Sequence, residues 1–335
     1  MDPSSAASSA DPYPYYAELV AHRPFYREGS LWIASSAAAV TAVLESELCR
    51  VRPPTEPVPA ALAGTPMGEM FRQMARMTDG PAHRAMKLLL VEGLGAASAA
   101  PAAAVCALEL ASLPLRDFVF QLAPHTIARL LGVELSEPAR LAHDLARCIA
   151  LSVSPEQVER GSAAYVSLRA ALLAARGGLM DSLLRLAPDP EPMLANAAAL
   201  FFQIYDATAG LIGNTLLAPN PSVLETLRWN PPIHNTRRFV ARDGILCGQP
   251  VKEGDAILVS LAAANRDPAA NPNPDRFDAL RENPRTFSFG AGIHACPGRN
   301  LAVEIATAGV RQRVQDPLPG FTYLPAANAR VPLFK

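Results

Sequence analysis

Between Phe287 and Ala302 the chain reads FSFGAGIHACPGRNLA, a single cysteine among Gly290, Gly292, Gly298 and Pro297, ahead of an Ala/Val/Ile-rich stretch. Glycine permits backbone angles and close approaches that a Cβ blocks, so this composition describes a backbone held against something flat. Pro297 and Gly298 predict a helix starting just after Cys296, and the free N–H groups and dipole of a helix N-terminus favour thiolate over thiol. Cys296 is therefore a candidate metal ligand. Cys49, Cys106, Cys148 and Cys247 show no CxxC spacing, and an odd total of five makes a poor disulfide framework. These four are expected as small buried hydrophobes.

Three further groupings could do chemistry. Glu225 and Arg228 lie three apart, on one helix face, and His83 and Lys87 lie four apart, so both of the latter could reach a single carboxylate. The apolar run from Asn196 to Ala218 is long enough to span a bilayer, but Gln203, Tyr205, Asp206, Thr208 and Asn214 interrupt it. It reads as a long helix through a protein core. On that helix Gln203, Ala207, Gly210 and Asn214 form a stripe whose small members leave room for a flat ligand, and Thr208 is about 100° off it.

The elements that must position these residues are mostly helical. A short helix and a two-strand hairpin are predicted across DPYPYYAELVAHRPFYREGSLWIAS, a helix at 36–48, and an irregular loop from Arg52 to Pro66. From Pro81 to about Leu217 Ala/Leu-rich segments carry helical periodicity, with breaks expected at Gly93, Pro101, Pro114, Gly132, Pro155, Gly177 and Pro188. After a helix at Val223–Trp229, the runs RRFVA, GILC, AILVSLAAA and FTYLP read as strands. The expected class is mainly α with small β-sheets, one domain over 1–335, its first eleven residues frayed.

Composition narrows the partners. Of 335 residues half are hydrophobic, and the charge of −1 comes from 30 basic and 31 acidic residues spread along the chain. That excludes an electrostatic footprint for nucleic acid or an anionic membrane and leaves a small molecule as the expected partner. The N-terminus has no basic or apolar leader segment, so a cytoplasmic location is expected.

Phe289, Gly292, His294, Cys296 and Gly298 match F-x-x-G-x-H-x-C-x-G. With this loop the chain resembles the cytochrome P450 family, and the resemblance runs over most of its length. Glu225 and Arg228, placed before WNPP and followed by Arg276 in NPDRF, look like that family's Glu/Arg/Arg structural cluster. AANRDP (263–268) and DPYPYYAEL also resemble it at the expected places. The resemblance implies a cytochrome P450-like haem-thiolate fold holding haem b (iron protoporphyrin IX), with Cys296 as iron ligand. Phe289 and Gly298 would border the cofactor, and His83, Lys87, Arg238 and His294 would serve the propionates. Lys87 stands where the family normally has Arg, supplying the charge without the bidentate fork.

The implied activity is oxidation of a small, largely apolar substrate, in a biosynthetic setting, with O2 and electrons from a ferredoxin or ferredoxin reductase system. An axial thiolate favours O–O cleavage and attack on a C–H bond. The family's proton-delivery motif, A-G-x-[DE]-T-[ST], falls on Gln203 to Thr208. The acid is kept as Asp206, while the usual Thr is Ala207 and the usual Gly is Ile204. Catalytic candidates are thus Asp206, Ala207 and Thr208. Three routes around Ala207 stay open: a hydroxyl from substrate or water, use of peroxide, or chemistry that inserts no oxygen. A haem sensor or docking protein is the alternative of another class. Gln203, Gly210, Ile233 and Thr236 are the expected substrate-pocket residues, with the loop at 53–70 and the turn at 326–331. The chain is short for the family, with apparent losses between Ala218 and Ser222 and near 175–190.

Overall fold

Proline and glycine set most of the element boundaries in the computed structural model, which describes residues 3, 5–150 and 152–335. The helices are α1 (Tyr13–His22), α2 (Ala37–Glu45), α3 (Pro66–Gln73), α4 (Gly80–Gly95), α5 (Ala100–Glu109), α6 (Leu115–Leu131) and α7 (Pro138–Cys148). They continue with α8 (Pro155–Ala174), α9 (Gly178–Leu186), α10 (Pro190–Leu216), α11 (Val223–Trp229), α12 (Leu261–Asn265) and α13 (Arg299–Arg313). The strands are β1 (Phe25–Glu28), β2 (Leu31–Ala34), β3 (Cys49–Arg50), β4 (Asn235–Val240), β5 (Gly244–Leu246), β6 (Gln249–Val251), β7 (Ala256–Ser260), β8 (Phe321–Tyr323) and β9 (Pro332–Phe334). Mainly α with small sheets is the observed class.

Most predicted breaks fall at helix ends. Pro101 and Pro155 occupy first-turn positions of α5 and α8, where a missing N–H costs nothing, and Gly132 closes α6 in the left-handed conformation at φ 74°. Gly93 is different. It lies inside α4, because a Cβ there would come within 2.3 Å of Leu183 Cδ2 on α9: the glycine serves close helix packing. The run AILVSLAAA is strand only to Ser260, after which LAAAN, strong in helix formers, turns into α12. The predicted helix at 36–48 ends at Glu45.

The contacts divide the chain into two compact units. One holds Met1–Thr55, Gly210–Cys296 and Asp316–Lys335, and the other Glu56–Ala209 and Pro297–Gln315. The first contains every strand among the described residues, with a five-stranded sheet in the order β1-β2-β7-β4-β3, in which β2 and β7 run parallel and the other pairs antiparallel. Val40, Val43 and Leu44 of α2 cover Trp32, Ile257 and Val259 of the sheet. The side chain of Ser36 and the carboxylate of Asp267 accept from backbone N–H groups of the first turn of α2.

The second unit is helical: α7 packs along α8, and α13 packs against α5 and α6. Met193–Ala199 and Leu211–Leu216 of α10 are buried, as a core helix requires. Among the described residues no single helix is long and apolar enough to cross a membrane; α4 and α5 pass by length and composition only as a pair bent by 68°.

The N-terminus departs from the predicted frayed end. Residues 1, 2 and 4 lie outside the described residues, but Ala6–Ser8 forms a 3-10 turn with Ala6 and Ala7 fully buried. The reason is distant in sequence: the buried Arg330 guanidinium donates to the carbonyls of Ala7, Ser9 and Ala10, at 3.2, 2.7 and 2.8 Å.

Gly93→Ala is expected to lower stability by about 1–3 kcal/mol through overpacking against Leu183, as read from urea or thermal denaturation.

Candidate functional site

The loop that carries Cys296 owes its shape to two glycines. Gly290 and Gly292 have φ of 70° and 64°, and a Cβ on Gly292 would also meet the Leu44 carbonyl oxygen at 3.0 Å. Gly298 differs, with φ −90° and ψ 13°, angles open to any residue, so its backbone conformation is not what calls for glycine. Gly290 N–H donates to Phe287 O at 2.7 Å and Cys296 N–H to Phe289 O at 2.8 Å, folding the segment into a tight hairpin. At its end the Cys296 thiol is exposed, and in sequence α13 begins three residues later, as Pro297 and Gly298 predict.

A polar lattice within the same unit holds the base of this loop. Phe287 N–H donates to Asn265 Oδ1 at 2.6 Å, and Asn265 Nδ2 donates to Leu227 O on α11 and to Ser288 Oγ, both at 2.9 Å. Ser288 and Thr286 hydroxyls both reach the Leu227 carbonyl. Asn271 adds bonds to Asn265 O and Arg285 O at 2.9 and 2.8 Å. Sequence reasoning singled out AANRDP but not its Asn265, which is fully buried.

The Glu225/Arg228 pair is buried, with hydrogen bonds of 2.6 and 2.9 Å. Its predicted third member is corrected. Arg276 is exposed and contributes only its carbonyl, which accepts from Arg228 Nη2 at 3.0 Å. The second guanidinium on Glu225 belongs to Arg281, whose Nε donates at 3.2 Å, beside Asp278 N–H at 3.0 Å. The segment after Pro272 turns so that position 281, and not 276, faces α11.

The propionate candidates are placed as follows. In the helical unit His83 of α4 is buried and its Nδ1–H donates to Ala75 O at 2.8 Å, while Lys87, one turn on, is half-buried. In the sheet unit Arg238 of β4 is buried, with Nη1 donating to Arg237 O at 2.9 Å, and His294 is half-buried in the loop.

On α10, Gln203, Ile204, Asp206 and Ala207 are half-buried while Thr208 is only 1% exposed. Asp206 carries a partner the sequence did not reveal: Arg147 of α7 donates from one Nη2 to both oxygens, at 2.6 and 2.7 Å. Burial pushes the Asp206 carboxyl up from its ordinary range, against the pull of Arg147. Gly210 is corrected as a pocket residue. A Cβ there would meet Pro232 Cβ at 2.8 Å and Arg330 O at 3.2 Å, so its smallness admits a neighbouring backbone rather than a ligand. Asn214 of the same stripe donates to Asn230 O and Arg330 O. Ile233 pairs in an isolated antiparallel bridge with Ala329, bringing two predicted substrate segments together, and Thr236 lies half-buried in β4.

Residues 220–308, which hold α11, the lattice and the cysteine loop, match the family model described as Cytochrome P450. The chain is 28% identical to the putative cytochrome P450 133B2 of Xylella fastidiosa (strain Temecula1 / ATCC 700964), over 90% of this chain and 88% of that one. The chain belongs to the cytochrome P450 family. This P450 is also 26% identical to the biotin biosynthesis cytochrome P450 of Bacillus subtilis (strain 168), with 93% and 92% covered. Its fold superposes on the crystal structure of CalO2 with a TM-score of 0.85 at 24% identity, covering 100% and 98%. It is a P450-type monooxygenase, an oxidoreductase of the haem-thiolate class. Its donors fit a haem: a soft, exposed cysteine sulfur on a glycine-shaped hairpin, and buried or half-buried cationic and N–H donors suited to carboxylates.

Arg281→Ala is expected to cost about 3 kcal/mol, because the Glu225 carboxylate stays buried with one of its three partner groups gone, whereas Arg276→Ala leaves the denaturation midpoint unchanged.

Proposed function

We propose that the Cys296 thiolate ligates the iron of haem b and that this P450 oxidises a medium-sized, largely apolar organic substrate in a biosynthetic pathway. The observation that carries this reading is the exposed Cys296 on a hairpin shaped by Gly290 and Gly292 and braced from α11 by Asn265 and Ser288. Phe289 and Gly298 border the cofactor, while His83, Lys87, Arg238 and His294 hold its propionates. The haem, when bound, supplies activation of oxygen and oxidation of a C–H bond. Electrons come from a ferredoxin-type partner, and the location is cytoplasmic.

The chain's own residues govern proton supply. Asp206 is the acid, fixed by Arg147 one residue before Ala207. Ala207 offers no hydroxyl, so the substrate or an ordered water supplies it, and Gln203, Ile233 and Thr236 orient that substrate. Use of peroxide is a second reading, favoured by the same alanine.

The CO-bound spectrum of the reduced protein is expected to show the red-shifted thiolate band, and Cys296→Ala to lose it. A spectrum without that band, or one unchanged in the variant, refutes the ligand assignment. In ferredoxin-driven turnover Ala207→Thr is expected to gain nothing in coupling. Arg147→Gln is expected to lower kcat by about 10²-fold or more with little change in KM, since it releases the carboxylate that handles protons. Activity with peroxide alone supports the second reading.

A further inference from the structure

The turn at 326–331, one of the segments expected against the substrate, is fixed from several sides within the sheet unit. Its backbone is tied to the start of β4: Arg330 N–H donates to Pro232 O at 2.8 Å, His234 N–H to Asn328 O at 2.9 Å and Asn235 Nδ2 to Ala327 O at 2.9 Å. With the Ile233–Ala329 bridge, these bonds make the turn and Ile233 one piece. The Arg330 carbonyl faces α10, where Asn214 Nδ2 donates to it at 3.0 Å and a Cβ on Gly210 would meet it at 3.2 Å. The Arg330 side chain serves another segment. Its guanidinium lies 3.6 Å over the Tyr323 ring and donates from Nη1 to Ala7 O and Ser9 O and from Nη2 to Ala10 O.

We propose that Arg330 is a positioning residue for substrate selection: by gripping the N-terminal segment Ala6–Ala10 it sets the shape of the turn at 326–331, so that a strap remote from the cysteine loop in sequence governs which substrates this P450 accepts. The inference rests on the function proposed above, in which Ile233 orients the substrate, and on the turn beside it touching the same molecule.

The strap is itself anchored, which gives the grip something fixed to hold. Ala6 is fully buried in a cluster with Tyr16 of α1 and Ala262 and Ala263 of α12, and the Ser9 hydroxyl and N–H both donate to Ala6 O, at 2.8 and 3.1 Å. The carbonyls of Ala7, Ser9 and Ala10 are then left to one guanidinium. Stability alone does not call for this arrangement. A cation only 4% exposed, with no carboxylate partner among the described residues, is a costly way to hold a chain segment, because its desolvation opposes folding and an apolar side chain would avoid that cost. What the guanidinium adds is direction: a planar fork of N–H donors fixes the distance and orientation of three carbonyls, which apolar contact leaves free. The backbone of the same residue is bonded on both sides, N–H to Pro232 and carbonyl from Asn214, so a change at the guanidinium reaches the chain that meets β4 and α10.

The test compares holoenzyme whose reduced CO spectrum shows the thiolate band with Arg330→Ala, with a chain lacking residues 2–10, and with the two changes combined. Amide hydrogen exchange at 324–331 is expected to speed up in all three while that of the cysteine loop stays native. In spectral titrations the bulky apolar azole clotrimazole is expected to bind about fivefold or more weaker, and imidazole, a fraction of its size, within about twofold of native, because only the larger ligand draws on a preorganised turn. The combined change is expected to match either single one, since both remove the same interaction. Arg330→Lys, which keeps the charge without the fork, is expected to recover most of the lost stability and little of the clotrimazole affinity. Exchange at 324–331 that stays native, effects that add in the combined chain, or clotrimazole affinity that simply follows the denaturation midpoint across the variants overturns the proposal. Faster exchange there with native clotrimazole affinity instead overturns the reading of the turn as a substrate segment, and a native preparation lacking the thiolate band overturns the haem reading.

Discussion

The buried carboxylate of Glu225 is the constraint around which the sheet unit is arranged. A 2% exposed carboxylate must be neutralised and fully hydrogen-bonded, and Arg228, Arg281 and the Asp278 N–H do this together. Satisfying it fixes the segment from Pro272 to Arg281 against α11. The same short helix then offers its Leu227 carbonyl to Asn265, Thr286 and Ser288, which hold the strands of the cysteine loop. The position of Cys296 is therefore set by interactions remote from the sulfur, and a defect in the cluster propagates to the loop.

A second buried cation plays a matching part at the chain's ends. Arg330 has no carboxylate partner among the described residues and donates from Nη1 and Nη2 to the carbonyls of Ala7, Ser9 and Ala10, while its own carbonyl takes the Asn214 side chain. The C-terminal end of α10, the C-terminal turn and the N-terminal segment are tied by one residue. Hydrogen bonds to a charged donor are among the stronger ones, which explains why a Ser/Ala-rich end with little intrinsic preference is held in place.

In the helical unit the weight falls on α10 and its neighbours. Asp206 and Arg147 form a clasp between α10 and α7, and Asn196 takes the Ala75 N–H and returns bonds to Gln73 O and Pro192 O. These polar ties pin helices that hydrophobic packing alone would leave free to slide, since Ala-rich faces have shallow grooves.

By itself the sequence determined the mainly helical class, the cysteine loop, the Glu225–Arg228 pair and most helix ends. Each depends on residues close together in the chain: the angles that Gly290 and Gly292 require, the i,i+3 spacing of a helix face, the punctuation of Pro101, Gly132 and Pro155. Only tertiary structure decided that Arg281 replaces Arg276, that Arg147 holds Asp206, that Gly93 and Gly210 admit neighbouring elements, and that Asn265 braces the loop. Those outcomes join residues tens of positions apart. Which of several arginines or glycines meets a given partner is set by where the chain returns, and periodicity carries no information about that return.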